Sequence, residues 1–199
     1  MDEDKDISHS QPEDHIPSNN LLANYGVLFM LWGGAGVLKF GLDYIDKYAN
    51  ISILMRQSIR IMGYLVIILW LIGTIYFLYK HGQAKLTYYG LTLRFVWVSM
   101  VLAMVLINVI QMNVLKNLDF ELQHPIFMVL YAMATTISGA ILRQKMLILG
   151  GIIFGICALL SSYLDLKDQF VLEAIGWFVA FVIPGYLMYR LKEETSLSE

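Results

Sequence analysis

The chain has 199 residues, of which 58% are hydrophobic and only 15% are charged, and its mean hydropathy is +0.62. Soluble domains average about 45–50% apolar and about 25% charged residues, so this composition excludes an ordinary soluble globular domain. The formal net charge of −2 and the scattered positions of Lys and Arg exclude a nucleic-acid-binding protein. The composition predicts an integral membrane protein.

The chain divides into a polar tail, an apolar domain and a second short tail. Residues 1–20 are acidic and rich in Ser, Asn and Gln, with two prolines, and such a segment buries too little apolar surface to become ordered. We predict a disordered acidic tail over residues 1–20, a membrane domain over 21–190 and a short C-terminal tail over 191–199.

Six apolar stretches make up the predicted membrane domain. A hydrocarbon core about 30 Å thick requires ~20 residues at about 1.5 Å rise per residue. The sequence therefore predicts an all-α fold, a polytopic bundle of six transmembrane helices in a cell membrane, which is the inner membrane if the protein is bacterial. The predicted helices cover about 21–42, 61–79, 91–112, 125–142, 146–164 and 170–189.

The first two stretches carry distinctive features. The run WGGAG at 32–36 indicates either close approach of a neighbouring helix or only the general frequency of glycine in transmembrane helices. Residues 50–60 precede the second stretch and are amphipathic, with Arg56 and Arg60 opposite the apolar face. This lead-in either lies on the membrane surface or extends the second helix to about 45 Å.

The third stretch carries two amides, and the fourth begins at a proline. Asn108 and Gln111 are three residues apart, so they lie on one face of the third helix. We predict that the fourth helix begins at His124-Pro125, because a proline in the first turn of a helix removes no helical hydrogen bond.

Small residues predict tight packing between the fourth and fifth helices. Ala132, Thr136 and Ala140 form a row on the fourth helix, and Gly151 and Gly155 form a GxxxG pattern on the fifth. Because the connection between the two helices is short, we expect an antiparallel hairpin. The GxxxG pattern leaves open whether its contact lies within one chain or between subunits.

The sixth stretch combines an acid near its start with a helix-breaking pair near its end. Glu173 lies about one turn into the predicted helix. Pro184-Gly185 should kink the helix, because proline lacks the amide that would bond to a carbonyl one turn earlier.

The distribution of Lys and Arg predicts the orientation of the helices, because cytoplasmic loops carry an excess of these residues. With the N-terminus inside, eight basic residues lie on the inner side and six on the outer side. The short connection with Arg143 and Lys145 contains no acid, which favours the inner side, whereas Arg56 and Arg60 oppose this orientation. We predict an N-in/C-in topology with both termini in the cytoplasm.

No motif in the sequence indicates an enzyme. The chain lacks GxSxG, HExxH, CxxC and GxxxxGK[ST], so we expect no catalytic residue, no metal site and no cofactor. His9 and His15 fall in the acidic tail. His81 and His124 fall at predicted helix ends, where we expect them to be solvated.

Polar side chains at membrane depth are costly and point to function. In the N-in topology these side chains would share the outer third of the bilayer and form an outward-facing polar cavity; they are Glu173, Asn108, Gln111, Ser161 and Ser162. The alternative is structural: Glu173 reaches the interface or pairs with Lys167, Lys116 or Lys39, and the amides hold helices together.

Several runs resemble a group of small bacterial six-helix membrane proteins that has no assigned function. The resemblance covers nearly the whole chain after the tail and implies six helices, but it brings no activity and no site residues. The runs are LWG at 31–33, PIFMVLY at 125–131, ISGAIL at 137–142, LGGI at 149–152 and IPGYL at 183–187.

Two functions remain open from the sequence. The first is a non-enzymatic accessory, regulatory or sensory membrane protein that acts through helix and surface contacts. The second is a small transporter or channel with a polar cavity around Glu173. The lipid bilayer is the expected environment, and the partner is either another membrane protein or a second copy of this chain.

Overall fold

The computed structural model describes residues 19–82 and 88–196, and every regular element within these ranges is helical, as the sequence predicts. A π-helical turn at Phe178–Val182 joins α6 to α7, so the two form one continuous helical element. Most of the predicted acidic tail and residues 197–199 lie outside the described residues. The helices are α1 Asn19–Tyr48, α2 Ile53–Gly82, α3 Tyr88–Val114, α4 Phe120–Ile141, α5 Lys145–Ser161, α6 Leu166–Trp177 and α7 Ile183–Ser196.

Five helical segments within the described ranges are long and apolar enough to cross a membrane. They are Leu22–Tyr48, Ile53–Phe77, Gly90–Val114, Phe120–Ile141 and Leu166–Arg190. Helix α5 is apolar but shorter, at 17 residues. Large apolar side chains such as Leu69 and Leu106 are 64% and 60% exposed, as expected for surfaces that face lipid tails.

Helix α4 begins earlier than predicted, and helix α2 has one of the two forms that the sequence left open. Helix α4 begins at Phe120, before the expected His124-Pro125, because the side chain of Asp119 accepts a hydrogen bond from the amide of Leu122 at 3.1 Å and caps the helix. Helix α2 is continuous from Ile53, so most of the amphipathic lead-in belongs to it. Its 30 residues span about 45 Å, which exceeds the thickness of the hydrocarbon core.

Helix α1 lies between α2 and the α6–α7 element, which in turn packs on α5. Helix α5 pairs with α4, and α3 packs on α4. The ring of Trp97 on α3 contacts α1, because its centroid lies 4.6 Å from that of Trp32. Aromatic rings therefore fill the centre of the bundle, including Phe29, Tyr131, Phe154, Trp177 and Phe181.

Helix α1 packs against the α6–α7 element through glycines. A Cβ atom added to Gly26 would lie 2.6 Å from the carbonyl oxygen of Gly185, and one added to Gly185 would lie 2.7 Å from that of Gly26. Gly33 and Gly36 similarly face Phe181 and Trp177, whereas a Cβ atom at Gly34 would have open space around it. Of the two interpretations of the 32–36 run, close helix approach holds for Gly33 and Gly36 and not for Gly34.

Helices α4 and α5 form an antiparallel hairpin. Gly151 lies against Thr136 and the carbonyl of Ala132, whereas a Cβ atom at Gly155 would make an ordinary 3.6 Å contact with Ala132. Ala140 lies on an exposed side of α4. The GxxxG pattern therefore makes its described contacts within one chain.

The helical hydrogen-bond pattern changes at the predicted position near Pro184. Because Pro184 has no amide hydrogen, the carbonyl of Ala180 loses its partner one turn later. The π turn accommodates this loss, and the amide of Ile183 donates to the carbonyl of Phe178 instead. A Cβ atom at Gly150 would lie 3.0 Å from the Ala180 carbonyl oxygen, so this glycine leaves room for the displaced backbone.

The adjacent glycines of α1 provide a matched test of close packing. We expect Gly33→Ala to destabilise the protein by about 1–3 kcal/mol, because the added methyl group overlaps Phe181 and Val182. Gly34→Ala should be neutral or slightly stabilising, since alanine favours helix formation and meets no neighbour. Denaturant titration of each variant in mixed micelles measures the difference; equal effects would contradict this packing.

The two glycines of the GxxxG pattern should also differ. We expect Gly151→Ala to lower the free energy of unfolding by about 1–3 kcal/mol, because its methyl group would meet the backbone of α4. Gly155→Ala should change it by less than about 0.5 kcal/mol. The comparison uses the same micelle titration, and a larger loss for Gly155→Ala would show that the hairpin is packed in another register.

Candidate functional site

A carboxylic acid and an imidazole are paired inside the bundle. Glu173 on α6 is 1% exposed, and its Oε2 atom lies 2.7 Å from Nδ1 of His124 on α4. The distance is that of a hydrogen bond to a charged group, and either group can carry the shared proton. The expectation that His124 is a solvated helix-end residue is therefore wrong, because α4 begins earlier and carries His124 into the bundle.

Aromatic rings and one further acid surround the pair. The His124 ring lies edge-on to Phe170 and Phe40, with centroids 5.0 and 5.9 Å apart. Nε1 of Trp177 lies beside the Glu173 carboxyl group but outside hydrogen-bonding geometry. Asp43 on α1 is close enough to act electrostatically on Glu173. The pair therefore occupies a largely apolar site at the junction of α1, α4 and α6.

Gln169 links the same helices one turn away from Glu173. Its Nε2 atom lies 3.1 Å from the carbonyl oxygen of Glu121 on α4. That carbonyl would normally bond to the amide of residue 125, but Pro125 has no amide hydrogen. Gln169 therefore satisfies a carbonyl that the proline has freed, and α4 and α6 are joined by two polar contacts one turn apart.

Gln169 also holds the end of α5. The same Nε2 atom lies 3.2 Å from the carbonyl oxygen of Ser161 and 2.9 Å from that of Leu164. Ser161 is the last residue of α5, and its carbonyl also accepts a hydrogen bond from the amide of Leu164, which follows the helix. One buried amide thus joins α4, the end of α5 and α6, which places Glu173 opposite His124.

Of the two amides predicted on the third helix, Asn108 has a hydrogen-bond partner among the described residues and Gln111 has none. Nε2 of Gln123 on α4 donates to Oδ1 of Asn108 on α3 at 2.8 Å. Gln111 is 5% exposed, and its amide atoms have no hydrogen-bond partner in the part of the chain that the structure describes. Asn108 is connected to the acid–imidazole pair through α4, where Gln123 precedes His124.

The two predicted serines have different environments. Ser161 is fully buried, whereas Ser162 is exposed and donates to the carbonyl of Leu159 in its own helix at 2.7 Å. The structure therefore brings Glu173 and Ser161 to the same region through Gln169. It places Ser162 outside this region.

Two of the three lysines considered as partners of Glu173 have other contacts. Lys39 pairs with Asp43 on α1, and Nζ of Lys167 lies 5.9 Å from the ring centroid of Tyr44. Sequence reasoning missed His124 as the partner. A usable signal was present, because α4 and α6 run in the same direction and both residues lie near their N-terminal ends.

Charged residues on α1 connect this region to α2. Asp46 lies three residues after Asp43 and binds Arg60, with Oδ2 and Nε separated by 2.9 Å. Lys47 lies over the rings of Phe170 and Phe120, at 4.9 and 5.5 Å from their centroids. The C-terminal part of α1 therefore contacts both the buried pair and the exposed start of α2.

The two paired side chains are an acid and a base. A carboxyl group and an imidazole can hold one or two protons between them, and the change alters the charge of a buried site. Within residues 19–82 and 88–196, no group of three or more His, Cys, Asp or Glu side chains is placed to hold a metal ion. Comparison with known proteins finds no matching family model, no similar curated protein and no similar solved structure.

The hydrogen bond between Gln169 and the carbonyl of Glu121 can be tested through the free energy of unfolding. We expect Gln169→Leu to destabilise the protein by about 1–3 kcal/mol, because buried carbonyls lose their donor. In a Pro125→Ala background the loss should be smaller by about 1 kcal/mol, since the new amide can bond to Glu121. Unfolding free energies of the four proteins in this double-mutant cycle give the coupling.

The second proline supplies the control for this cycle. Pro184→Ala restores an amide for Ala180, which Gln169 does not contact, so it should leave the cost of Gln169→Leu unchanged. An equal cost of Gln169→Leu in all three backgrounds would contradict the role assigned to Pro125.

Proposed function

We propose that this protein is a non-enzymatic regulatory or sensory membrane protein and that the His124–Glu173 pair is its proton-responsive centre. The observation that supports this proposal is the burial of a carboxyl group and an imidazole, 2.7 Å apart, among apolar side chains of a membrane bundle. Ionisable groups at such positions are expensive, which makes them candidates for function.

The pair responds to pH because its net charge depends on its protons. With one shared proton it is neutral overall, whether as two neutral groups or as an ion pair. A second proton, added on acidification, leaves an imidazolium in the bundle without a carboxylate partner on Glu173. Breaking a buried pair typically costs about 3–5 kcal/mol, so acidification should loosen the contact between α4 and α6.

Helix α1 offers a route from the pair to the surface. Asp43 acts on Glu173, and Asp46 on the same face of α1 binds Arg60 near the exposed start of α2. In that part of α2, Ile53 and Leu54 are 88% and 79% exposed. We propose that this surface contacts the regulated partner, which is another membrane protein or a second copy of the chain.

The proposal includes the topology and the location. Helix α5, at 17 residues, is at the lower limit for a crossing, and it would make the sixth transmembrane helix. Six crossings place both termini on the same side, and the basic connection at Arg143 and Lys145 supports a cytoplasmic N-terminus and C-terminus. A cell membrane and kinship with the small six-helix bacterial group are part of the same proposal.

A small proton-coupled transporter is the second candidate. The feature that favours it is the π turn before Pro184, because such interruptions recur at functional sites in membrane helices. Glu173 itself is enclosed, with 1% of its surface exposed, which favours a sensor over a permeation pathway.

We expect acidification from about pH 7.5 to about pH 5 to change the tryptophan fluorescence of the protein in lipid nanodiscs, because Trp177 adjoins Glu173. The double variant Glu173→Gln/His124→Gln should abolish the change, since neither side chain can then take up a proton. Glu121→Gln is the matched control, because that acid is exposed near the same end of α4 and should leave the response intact.

A flux measurement separates the sensor from the transporter. Vesicles that contain the wild-type protein and a trapped pH dye should dissipate a proton gradient no faster than empty vesicles. Proton flux that depends on Glu173 would contradict the sensor and support the transporter. A wild-type protein without any pH-dependent fluorescence change would contradict both proton-based functions.

A further inference from the structure

Buried polar atoms without protein partners cluster beside the acid–imidazole pair. Within the described residues, Oγ of Ser161 and Oε1 of Gln169 have no hydrogen-bond partner, although the two residues are 0% and 2% exposed. Oε1 of Gln123, which precedes His124 on α4, also has no hydrogen-bond partner within the described residues. Leaving such atoms unbonded is unfavourable, so each requires a further partner.

Ser161 and Gln169 belong to one small region. The amide nitrogen of Gln169 lies 3.2 Å from the carbonyl oxygen of Ser161, so the two residues that carry the unpartnered oxygen atoms are in direct contact. Both are oxygen atoms that can accept hydrogen bonds, and the hydroxyl can also donate one. A water molecule, with two donors and two acceptors, matches this set.

This region lies between the surface and Glu173. Gln169 is four residues from Glu173 on α6, and both are buried, so they occupy the same helix face one turn apart. Its amide also bonds to the carbonyl of Leu164 in the connection between α5 and α6, where Tyr163 is 82% exposed. Gln169 thus reaches from an exposed connection towards the buried acid.

A surface depression is lined by residues near Gln169. It has a volume of about 470 Å³ and opens at the connection between α3 and α4. Its lining includes Glu121, whose carbonyl Gln169 binds, and Leu166, which lies one turn before Gln169 on α6. Solvent therefore comes within one helical turn of the buried polar atoms.

We propose that ordered water molecules bind between Ser161 and Gln169 and carry protons from this depression to Glu173. The water site rests on the unpartnered oxygen atoms alone, whereas its role as a proton path rests on the proposed function. Gln169 anchors the waters, and the Ser161 hydroxyl completes their hydrogen bonds. The path ends at the carboxyl group of Glu173, which is hydrogen-bonded to His124.

Charged and titratable side chains of the neighbouring helices lie near Glu173, where the path ends. Asp43 on α1 acts on Glu173 and is itself paired with Lys39, and Lys47 lies over Phe170. Tyr131 and His124 approach Glu173 from α4. From α5, the ring of Phe154 lies against Trp177 and the carbonyl of Ser161 contacts Gln169. Glu173 and His124 form the end of the path, and Asp43 is a further acid that acts on Glu173.

Proton transfer to Glu173 is measured by following the infrared band of its protonated carboxyl group after a rapid fall in pH, in nanodiscs. The band is assigned by its loss in Glu173→Gln. We expect Ser161→Ala to slow its appearance about tenfold, because the waters lose one of their hydrogen-bond partners. Ser162→Ala is the matched control: that hydroxyl bonds to its own helix, and the rate should match wild type.

A high-resolution structure of the wild-type protein provides the second measurement. Water density within hydrogen-bonding distance of Ser161 Oγ and Gln169 Oε1 is expected. A dry contact in a map that resolves other buried waters, or wild-type kinetics in Ser161→Ala, would overturn the inference. If the waters are present but Glu173 shows no band at any pH, the water site stands while both the proton path and the proposed function fail.

Discussion

The structure depends on the requirement that every polar backbone group inside a membrane finds a partner within the protein. Pro125 violates this requirement locally, because it leaves the carbonyl of Glu121 without its helical donor. The amide nitrogen of Gln169 on α6 lies within hydrogen-bonding distance of this carbonyl and of two more, Ser161 at the end of α5 and Leu164 after it, so the three carbonyls share its two N–H groups. A single amide side chain therefore sets how three helices meet.

The acid–imidazole pair follows from this arrangement. Once Gln169 has joined α4 to α6, the next turn of α6 brings Glu173 against His124, which belongs to the same turn of α4 as Glu121. The pair carries ionisable chemistry in a site lined by Phe40, Phe170 and Trp177. A structural contact made by one proline and one amide thus positions the acid–imidazole pair.

Close glycine contacts bring α1 against the α6–α7 element along their length. Gly26 and Gly185 bring α1 and α7 into backbone contact, Gly33 lies against Phe181 and Val182, and Gly36 lies against the ring of Trp177, nearest to Glu173. Helix α1 can therefore pass close to Glu173 and place Asp43 near it. The same helix carries Asp46 to Arg60 on α2, so the buried pair and the exposed surface share one rigid element.

The sequence by itself determined the membrane class, the helical fold and the approximate positions of the apolar helices, because these depend on local composition and periodicity. It also identified Glu173 as the unusual acid and the hairpin of small residues. Only the tertiary structure decided that His124 pairs with Glu173, that Gly33 packs while Gly34 does not, and that Ser161 is buried while Ser162 is exposed. Those outcomes depend on how helices rotate and approach one another, which local sequence patterns do not specify.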